Sequence, residues 1–154
     1  MTLTRTTEKL SGNSIYHFSV FLHNKVGALL EVVKLLNRHD IVVLALSILD
    51  SSESSIGRMV VTDPDSTRRL FDEHDIPYSV CEIMVVELPE GAAELSKVLS
   101  ALLMAEVNVF FSYPLLTRPR GQSALALHLD DVECASSVLR GEGFHLLTQE
   151  DISR

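Results

Sequence analysis

The sequence predicts an α+β chain made of two β-α-β-β-α-β units, each an antiparallel sheet with helices on one face. Three observations predict it. There is a strand-to-helix turn at residues 23–29, a succession of apolar segments that switches between strand and helix spacing, and a self-similarity between the two halves of the chain.

Phe18, Val20 and Leu22 share one side of a pleat, so residues 15–22 read as a strand. Leu29, Val32, Val33 and Leu36 fall at offsets of zero, three, four and seven, the spacing that lines one face of a helix. Between them lie His23, Asn24, Lys25, Val26, Gly27 and Ala28. Gly27 is expected to open the helix, leaving the first backbone N–H groups free to hold an anion such as a carboxylate. Asn24 adds a donor and an acceptor beside them.

Residues 41–49 are almost unbroken apolar and form a second strand; residues 50–55 are a polar turn, and residues 56–61 a third strand pairing antiparallel with the second. Asp63 suits a helix N-cap, Pro64 the first helical position and Asp65 the positive end of the dipole. That helix is expected to run to about residue 75 and bury Leu70 and Phe71, before Pro77 blocks it and residues 78–88 extend. The order then recurs. Leu95, Val98, Leu99, Leu102 and Leu103 make a second apolar helical face, residues 107–115 a strand, 117–121 a turn and 123–129 a strand. Asp130 and Asp131 cap a helix carrying Val132, Ala135, Val138 and Leu139, and residues 144–147 close the pattern as a strand. Each half is a ferredoxin-like split unit.

A shift of 66 residues places Val20 on Val86, Leu22 on Leu88, Leu29 on Leu95, Val32 on Val98, Leu36 on Leu102 and Val43 on Val109, without a gap. At Ile76 and Phe144 the shift is 68, so the later part of the second half holds two extra residues. Residues 78–88 must close the first unit and open the second. The expected organisation is a flexible N-terminal tail over 1–14, a first unit over 15–82 and a second over 83–154.

At 46% hydrophobic residues and a mean hydropathy of +0.21, the 154-residue chain has ample surface for a core. Its longest apolar run is too short to span a bilayer and the N-terminus has no apolar leader segment, so a cytoplasmic location is expected. A net charge of −8 argues against a nucleic-acid partner, and Arg118 and Arg120 read as a solvated loop tip. Cys81 and Cys134 are too few for a disulfide framework and are expected as buried thiols. His17, His23, His39, His74, His128 and His145 are scattered singly with no metal-ligand spacing, so no metal or other cofactor is expected. Residues 41–46 are apolar on both faces, and Phe21, Phe110 and Phe111 also need cover. The open face of the sheet therefore requires a second sheet, most simply in a homodimer.

Two consecutive β-α-β-β-α-β units, a turn of the form Asn24-x-x-Gly27 after the first strand and a Val/Ile-rich second strand together resemble the ACT domain family, small regulatory modules that commonly bind amino acids. The resemblance covers about residues 15–150. The turn is similar to the family's Asn/Asp-x-Pro-Gly element, with Val26 in place of proline, a departure that loosens it. The resemblance implies units side by side in one eight-stranded sheet, with a ligand where the turn of one unit meets the start of the second strand of its neighbour. By count, Asn24 and Gly27 become Glu90 and Ala93 in the second unit, while the second-strand Asn of the family corresponds to Asn108 in unit two and Val42 in unit one. One site per chain is therefore expected to function, built from Asn24, Lys25, Val26, Gly27, Ala28 and Leu29 with Asn108. The turn N–H groups would take an α-carboxylate and the two Asn carbonyls an α-ammonium; Glu90 would repel a carboxylate at the other. The implied function is a regulatory protein that binds an amino acid and controls a partner enzyme or regulator allosterically, without catalysis of its own. The alternatives are a small ferredoxin-like enzyme using His23 or Glu90 as acid–base group, and a purely structural protein-interaction module.

Overall fold

The computed structural model describes residues 13–23, 25–50 and 54–153. Most of the expected N-terminal tail, and Asn24, lie outside these residues. The elements run β1 (Ile15–Leu22), α1 (Lys25–Arg38), β2 (Val43–Asp50), β3 (Ser55–Val61), α2 (Pro64–Glu73), β4 (Tyr78–Leu88), α3 (Leu95–Met104), β5 (Val109–Pro114), β6 (Ser123–Leu129), α4 (Val132–Gly141) and α5 (Gln149–Ile152). Single 3-10 turns at Gly91–Glu94 and Pro119–Gly121 precede α3 and β6.

The internal repeat is written into the backbone. Asp63 caps α2 by accepting from the Ser66 N–H at 3.1 Å, and Asp131 caps α4 by accepting from the Cys134 N–H at 2.9 Å. Four helices end on a residue in the left-handed region: Asp40 (φ 58°), Asp75 (φ 53°), Glu106 (φ 57°) and Gly143 (φ 87°). The next N–H in each case reaches back to a carbonyl of the last turn, Ile41 to Leu36, Ile76 to Phe71, Val107 to Leu102 and Phe144 to Leu139. Val43 and Val109 begin β2 and β5 at a shift of 66, whereas Ser55 and Ser123 begin β3 and β6 at 68. The two extra residues thus sit in the β5–β6 connection.

The strands form one antiparallel sheet in the order β2-β3-β1-β4-β6-β5. β4 serves both halves: Tyr78 to Ile83 pair with β1, and Met84 to Leu88 pair with β6. The sheet has six strands where the resemblance implied eight. One reason is this sharing; the other is that residues 144–147 do not form the closing strand expected of them. They make only a bridge, Val86 to Leu146, flanked by hydrogen bonds from Glu87 N–H to the His145 carbonyl and from Leu147 N–H to the Val85 carbonyl, each 2.9 Å. β6 occupies the other edge of Met84–Leu88, so this segment lies on the edge that β1 already fills further back, and little edge is left to it.

Alternation along the strands sorts the core into three layers. Phe18, Val20 and Leu22 of β1, with Met59 and Val61 of β3, face α1 and α2 on the outside of the sheet. Met84, Val86 and Leu88 of β4, with Leu125 and Leu127 of β6, face α3 and α4, also on the outside. The third layer joins the halves: Ile15, Ala45, Val60, Ile83, Val85, Tyr113, Ala124 and Ala126 form one buried cluster on the inner face. In a flat sheet β1 and β5 would lie three strands, roughly 14 Å, apart. Yet the His17 and Phe111 rings stack at 5.1 Å, the Arg58 guanidinium of β3 sits 4.0 Å over Phe111, and Leu116 N–H donates to the Leu44 carbonyl at 2.7 Å. The sheet is folded along β4 so that its inner face closes on itself. Much of the inner face expected to need a second sheet is covered by the other half of the same chain, whereas Phe21 and Phe110, at 41% and 60%, stay exposed. α5 clasps the result, Gln149 donating from Nε2 to the Val61 carbonyl at 3.0 Å.

The apolar face expected on α3 is narrower than its sequence pattern. Val98, Ala101 and Leu102 are buried, but Leu95, Leu99 and Leu103 are exposed, Leu103 at 77%. No element is packed over that flank among the described residues.

Two outcomes test this packing. A non-glycine residue in the left-handed region costs about 1–2 kcal/mol, partly offset by the chain entropy of glycine. Glu106→Gly, which copies the Gly143 helix end, is therefore expected to stabilise by about 1 kcal/mol in thermal or urea denaturation. Burial in the inner layer, then His128 and Arg58, push the His17 imidazole down to about 4 from its ordinary 6.5. The unfolded chain then binds the proton first as pH falls, so stability is flat above about pH 7 and drops by about 3 kcal/mol towards pH 4. His17→Gln is expected to flatten that drop; an unchanged pH profile would contradict the placement of His17.

Candidate functional site

α1 begins at Lys25, two residues before Gly27, so Gly27 is the third helical residue and not the opening one. Asn24 and the side chains of Lys25 and Val26 lie outside the described residues. Gly27 is exposed, and a Cβ built on it would meet nothing within 4 Å. The backbone at Gly27 thus stands open, in a first helical turn whose N–H groups have no partner inside the helix. Ala28 and Leu29 are half-buried and anchor the turn on the first-half core.

Clefts flank α1 on both sides. One, of about 530 Å³, is lined by Leu29, Leu30, Val33, Leu46 and Ile48, with Asp50 accepting a 2.9 Å hydrogen bond from the Ser55 hydroxyl at its rim. The other, of about 430 Å³, has His23, Glu31, Arg38 and His74 in its lining together with Phe21 and Ala28. Asn108 lines neither cleft.

The equivalent turn in the second half is built differently. After β4 the chain makes the 3-10 turn Gly91–Glu94, and regular helix starts only at Leu95. Here the Glu90 N–H donates to Oε2 of Glu94 at 2.8 Å. A carboxylate of the chain itself closes this turn. The residue at the position of Glu94 in the first half is Ala28, and α1 has no acidic residue in its first turn.

Asn108 closes the open end of the β5–β6 hairpin. Its side-chain N–H donates to Oδ2 of Asp130 at 2.9 Å, its backbone N–H to Oδ1 at 3.0 Å, and its carbonyl accepts from the Asp130 N–H at 3.1 Å. Val42 and Thr62 do the same in the first half, with the Val42 N–H on the Thr62 hydroxyl at 3.0 Å and the Thr62 N–H on the Val42 carbonyl at 3.1 Å. The hairpin closure therefore needs no Asn, and Asn108 adds to it a hydrogen bond from the side chain.

Two groupings escaped the sequence reading. Arg120 is exposed, as expected of a loop tip, but it has partners: its Nε lies 3.6 Å from Oε2 of Glu87, which is only 7% exposed, and its Nη1 donates to Nε2 of His145. Cys81 and His128, 47 residues apart in sequence, meet with Sγ and Nε2 2.9 Å apart. Both cysteines are free and half-buried, where buried thiols were expected. The available signal was the alternation that puts residues 17, 81 and 128 on inner-face positions, but it does not say that the face folds on itself. Among the described residues no group of three or more His, Cys, Asp or Glu side chains could hold a metal ion, and no helix is long and apolar enough to cross a membrane.

Residues 13–154 match a family model described as an ACT domain pair. No relative is found among curated proteins. Among solved structures the chain is similar to a protein of Bacteroides thetaiotaomicron, at 23% identity and a TM-score of 0.83, with 94% of this chain and 99% of that one covered. It is also similar to the regulatory subunit of aspartate kinase from Thermus thermophilus, at 13% identity and a TM-score of 0.59, covering 83% of this chain and 89% of that one. The corresponding subunit from Thermus flavus gives 14% identity and a TM-score of 0.55, with 84% and 90% covered.

Proposed function

The chain belongs to the ACT domain pair family, and on that premise we propose that it is a cytoplasmic regulatory protein that binds an amino acid at residues 24–29 and passes its occupancy to a partner enzyme. It carries out no catalysis of its own. The observation that supports this most directly is the contrast between the two turns. In the second half the Glu90 N–H is taken by Glu94, whereas in the first half Ala28 stands in the place of that carboxylate and the backbone at Gly27 is open. An α-carboxylate from outside supplies at the first turn what Glu94 supplies at the second. The likeness to aspartate kinase regulatory subunits fits a module that acts on another protein.

Since neither cleft beside the turn is lined by Asn108 of the same chain, Asn108 takes part in the site only when a second copy brings it there. We therefore propose a homodimer in which Asn108 of one chain approaches residues 24–29 of the other, giving up its bond to Asp130 in favour of the ligand ammonium.

A thermal-shift screen of the full chain against the common amino acids tests the reading. A ligand at a hundredfold excess over its Kd stabilises by roughly 2.7 kcal/mol. The shift is expected to vanish in Asn24→Ala and to persist in Glu90→Ala; loss in Asn108→Ala together with a dimeric mass by light scattering supports the second-copy arm. No shift with any amino acid removes the proposal.

Gly27→Ala separates ligand binding from folding. With nothing for the new methyl to strike, alanine is expected to stabilise the free protein by about 0.5–1 kcal/mol, through helix propensity. The same methyl stands on the open backbone and is expected to weaken the ligand shift. Unchanged binding would place the ligand elsewhere.

A further inference from the structure

Two apolar flanks stand at the same place in the two halves. The cleft beside α1 is lined by Leu29, Leu30, Val33, Leu46 and Ile48. The 66-residue shift puts Leu95, Ser96, Leu99, Ser112 and Pro114 at those positions, on α3 and β5, and all of them are exposed. Both flanks lie away from the fold along β4, because β2 and β5 are the outer strands of the sheet and the fold brings them together, the Leu116 N–H reaching the Leu44 carbonyl. β1 and β4 are antiparallel, and α1 and α3 each turn back along the strand before them, so the two helices run in opposite directions. A two-fold axis parallel to the strands keeps those directions and exchanges the outer layers. It sets α1 of one copy antiparallel to α3 of the other, and does so twice.

The relief of the two flanks suits that pairing. Leu95, Leu99 and Leu103 form a row at four-residue spacing beside a low row of Ser96 and Ser100, every one of them exposed, and on α1 Leu30 stands out at 51% exposure. With Val33 level with Leu99 of the second copy, counting outward in opposite directions brings Leu103 level with Leu29 and sets Leu30 over the serine row. Asn108, just beyond the end of α3, then arrives at the N-terminal end of α1. A net charge of −8 sets two copies against each other except where the surface is free of carboxylates. The α3 flank has none between Leu95 and Leu103, and the α1 cleft only Asp50, at its rim.

Resting on the reading of the first turn as the ligand site, we propose that α3 of a second copy packs antiparallel into the cleft beside α1, with Leu99 against Val33 and Leu103 against Leu29 and Leu30. This joint is what carries Asn108 to the turn. The two-fold repeats it, so each copy gives one cleft and one leucine row, and the two joints add their areas toward the roughly 1,200–2,000 Å² that a stable pair buries. A ligand that bridges the turn of one copy and Asn108 of the other tightens the pair, and pairing tightens the ligand, by linkage.

Light scattering on the full chain tests the joint. The unaltered chain is expected at twice the mass of a single chain, and Leu103→Glu and Leu30→Glu, both at exposed positions, are each expected to halve it, because each residue sits in a joint that the two-fold repeats. Circular dichroism establishes that the variants are folded. Ser100→Trp, which fills the serine row with bulk and no charge, takes the place of a variant that does not fold and is expected to halve the mass as well. A single-chain mass for the unaltered protein, or a mass indifferent to the folded variants, overturns the proposal. So does a mass that responds to Leu103→Glu and not to Leu30→Glu, which would assign the pairing to α3 against α3. The thermal shift judges the ligand reading separately. A single chain that still shifts with an amino acid, and loses the shift in Asn24→Ala, removes only the joint; a pair sensitive to both leucine variants that shifts with no amino acid removes only the ligand.

Discussion

A β-sheet with helices on one side leaves its other side to water, and here that side is too apolar to be left there. Ala45, Val60, Ile83, Val85, Ala124 and Ala126 all project from it. β4 decides how it is covered. Eleven residues long, it pairs with β1 through its first part and with β6 through its second, so the two half-sheets are hinged on one continuous strand. Folding along that hinge buries both inner faces together, and it brings Ala45 of β2 and Val60 of β3 into one cluster with Ile83, Val85, Tyr113, Ala124 and Ala126. Interdigitation of this kind is what close sheet packing demands. The contacts of His17 with Phe111 and Arg58 with Phe111 follow from the same fold.

With the inner layer closed inside one chain, the duplicated units are not free to remain equivalent. Each keeps the elements that build the sheet: the Asp caps at 63 and 131, the left-handed helix ends, and the bulge early in β2 and again in β5. They part at the strand-to-helix turn. One copy has acquired its own carboxylate at Glu94 and a 3-10 turn around Gly91; the other opens straight into helix over bare backbone at Gly27. Divergence at that turn leaves the scaffold untouched, since neither turn contributes described residues to the inner layer.

Local physics was legible in the sequence and long-range closure was not. The pleat alternation of Phe18, Val20 and Leu22, the cap at Asp63 and the stop at Pro77 each depend on neighbours a few residues away, and the elements stand where those patterns put them. The 66-residue repeat was equally readable, because both copies answer to the same core. Leu95, Leu99 and Leu103 show the limit: periodicity says which residues share a helix face, not whether anything packs over it. Residues 144–147 have a strand's composition, but β1 takes that side of β4 as far as Ile83 and only a bridge at Val86 is left to them. The doubly apolar strand at residues 41–46 announced that cover was needed without saying which molecule supplies it. Arg120 with Glu87, and Cys81 with His128, meet only because the chain folds on itself. At the candidate site, the contrast of Gly27 with Ala93 was visible from the count, whereas the role of Glu94 depends on where its side chain turns, and the bond from Asn108 to Asp130 on how the hairpin closes.

The inner layer also bears on how occupancy of a turn could be felt elsewhere. β1 leaves the layer at Ile15 and His17 and ends at Leu22, just before the first turn, so one rigid strand joins the two places. A ligand shifts an equilibrium only by its differential affinity for two arrangements, and packed layers offer discrete arrangements in preference to gradual ones. The interface between the half-sheets has that character at one end, where small and large apolar side chains interlock. At the other end it holds His17, His128, Arg58 and Tyr113 among aromatic rings. Ring stacking of His17 on Phe111 and the Arg58 guanidinium over Phe111 tie β1 and β3 to β5 at that end.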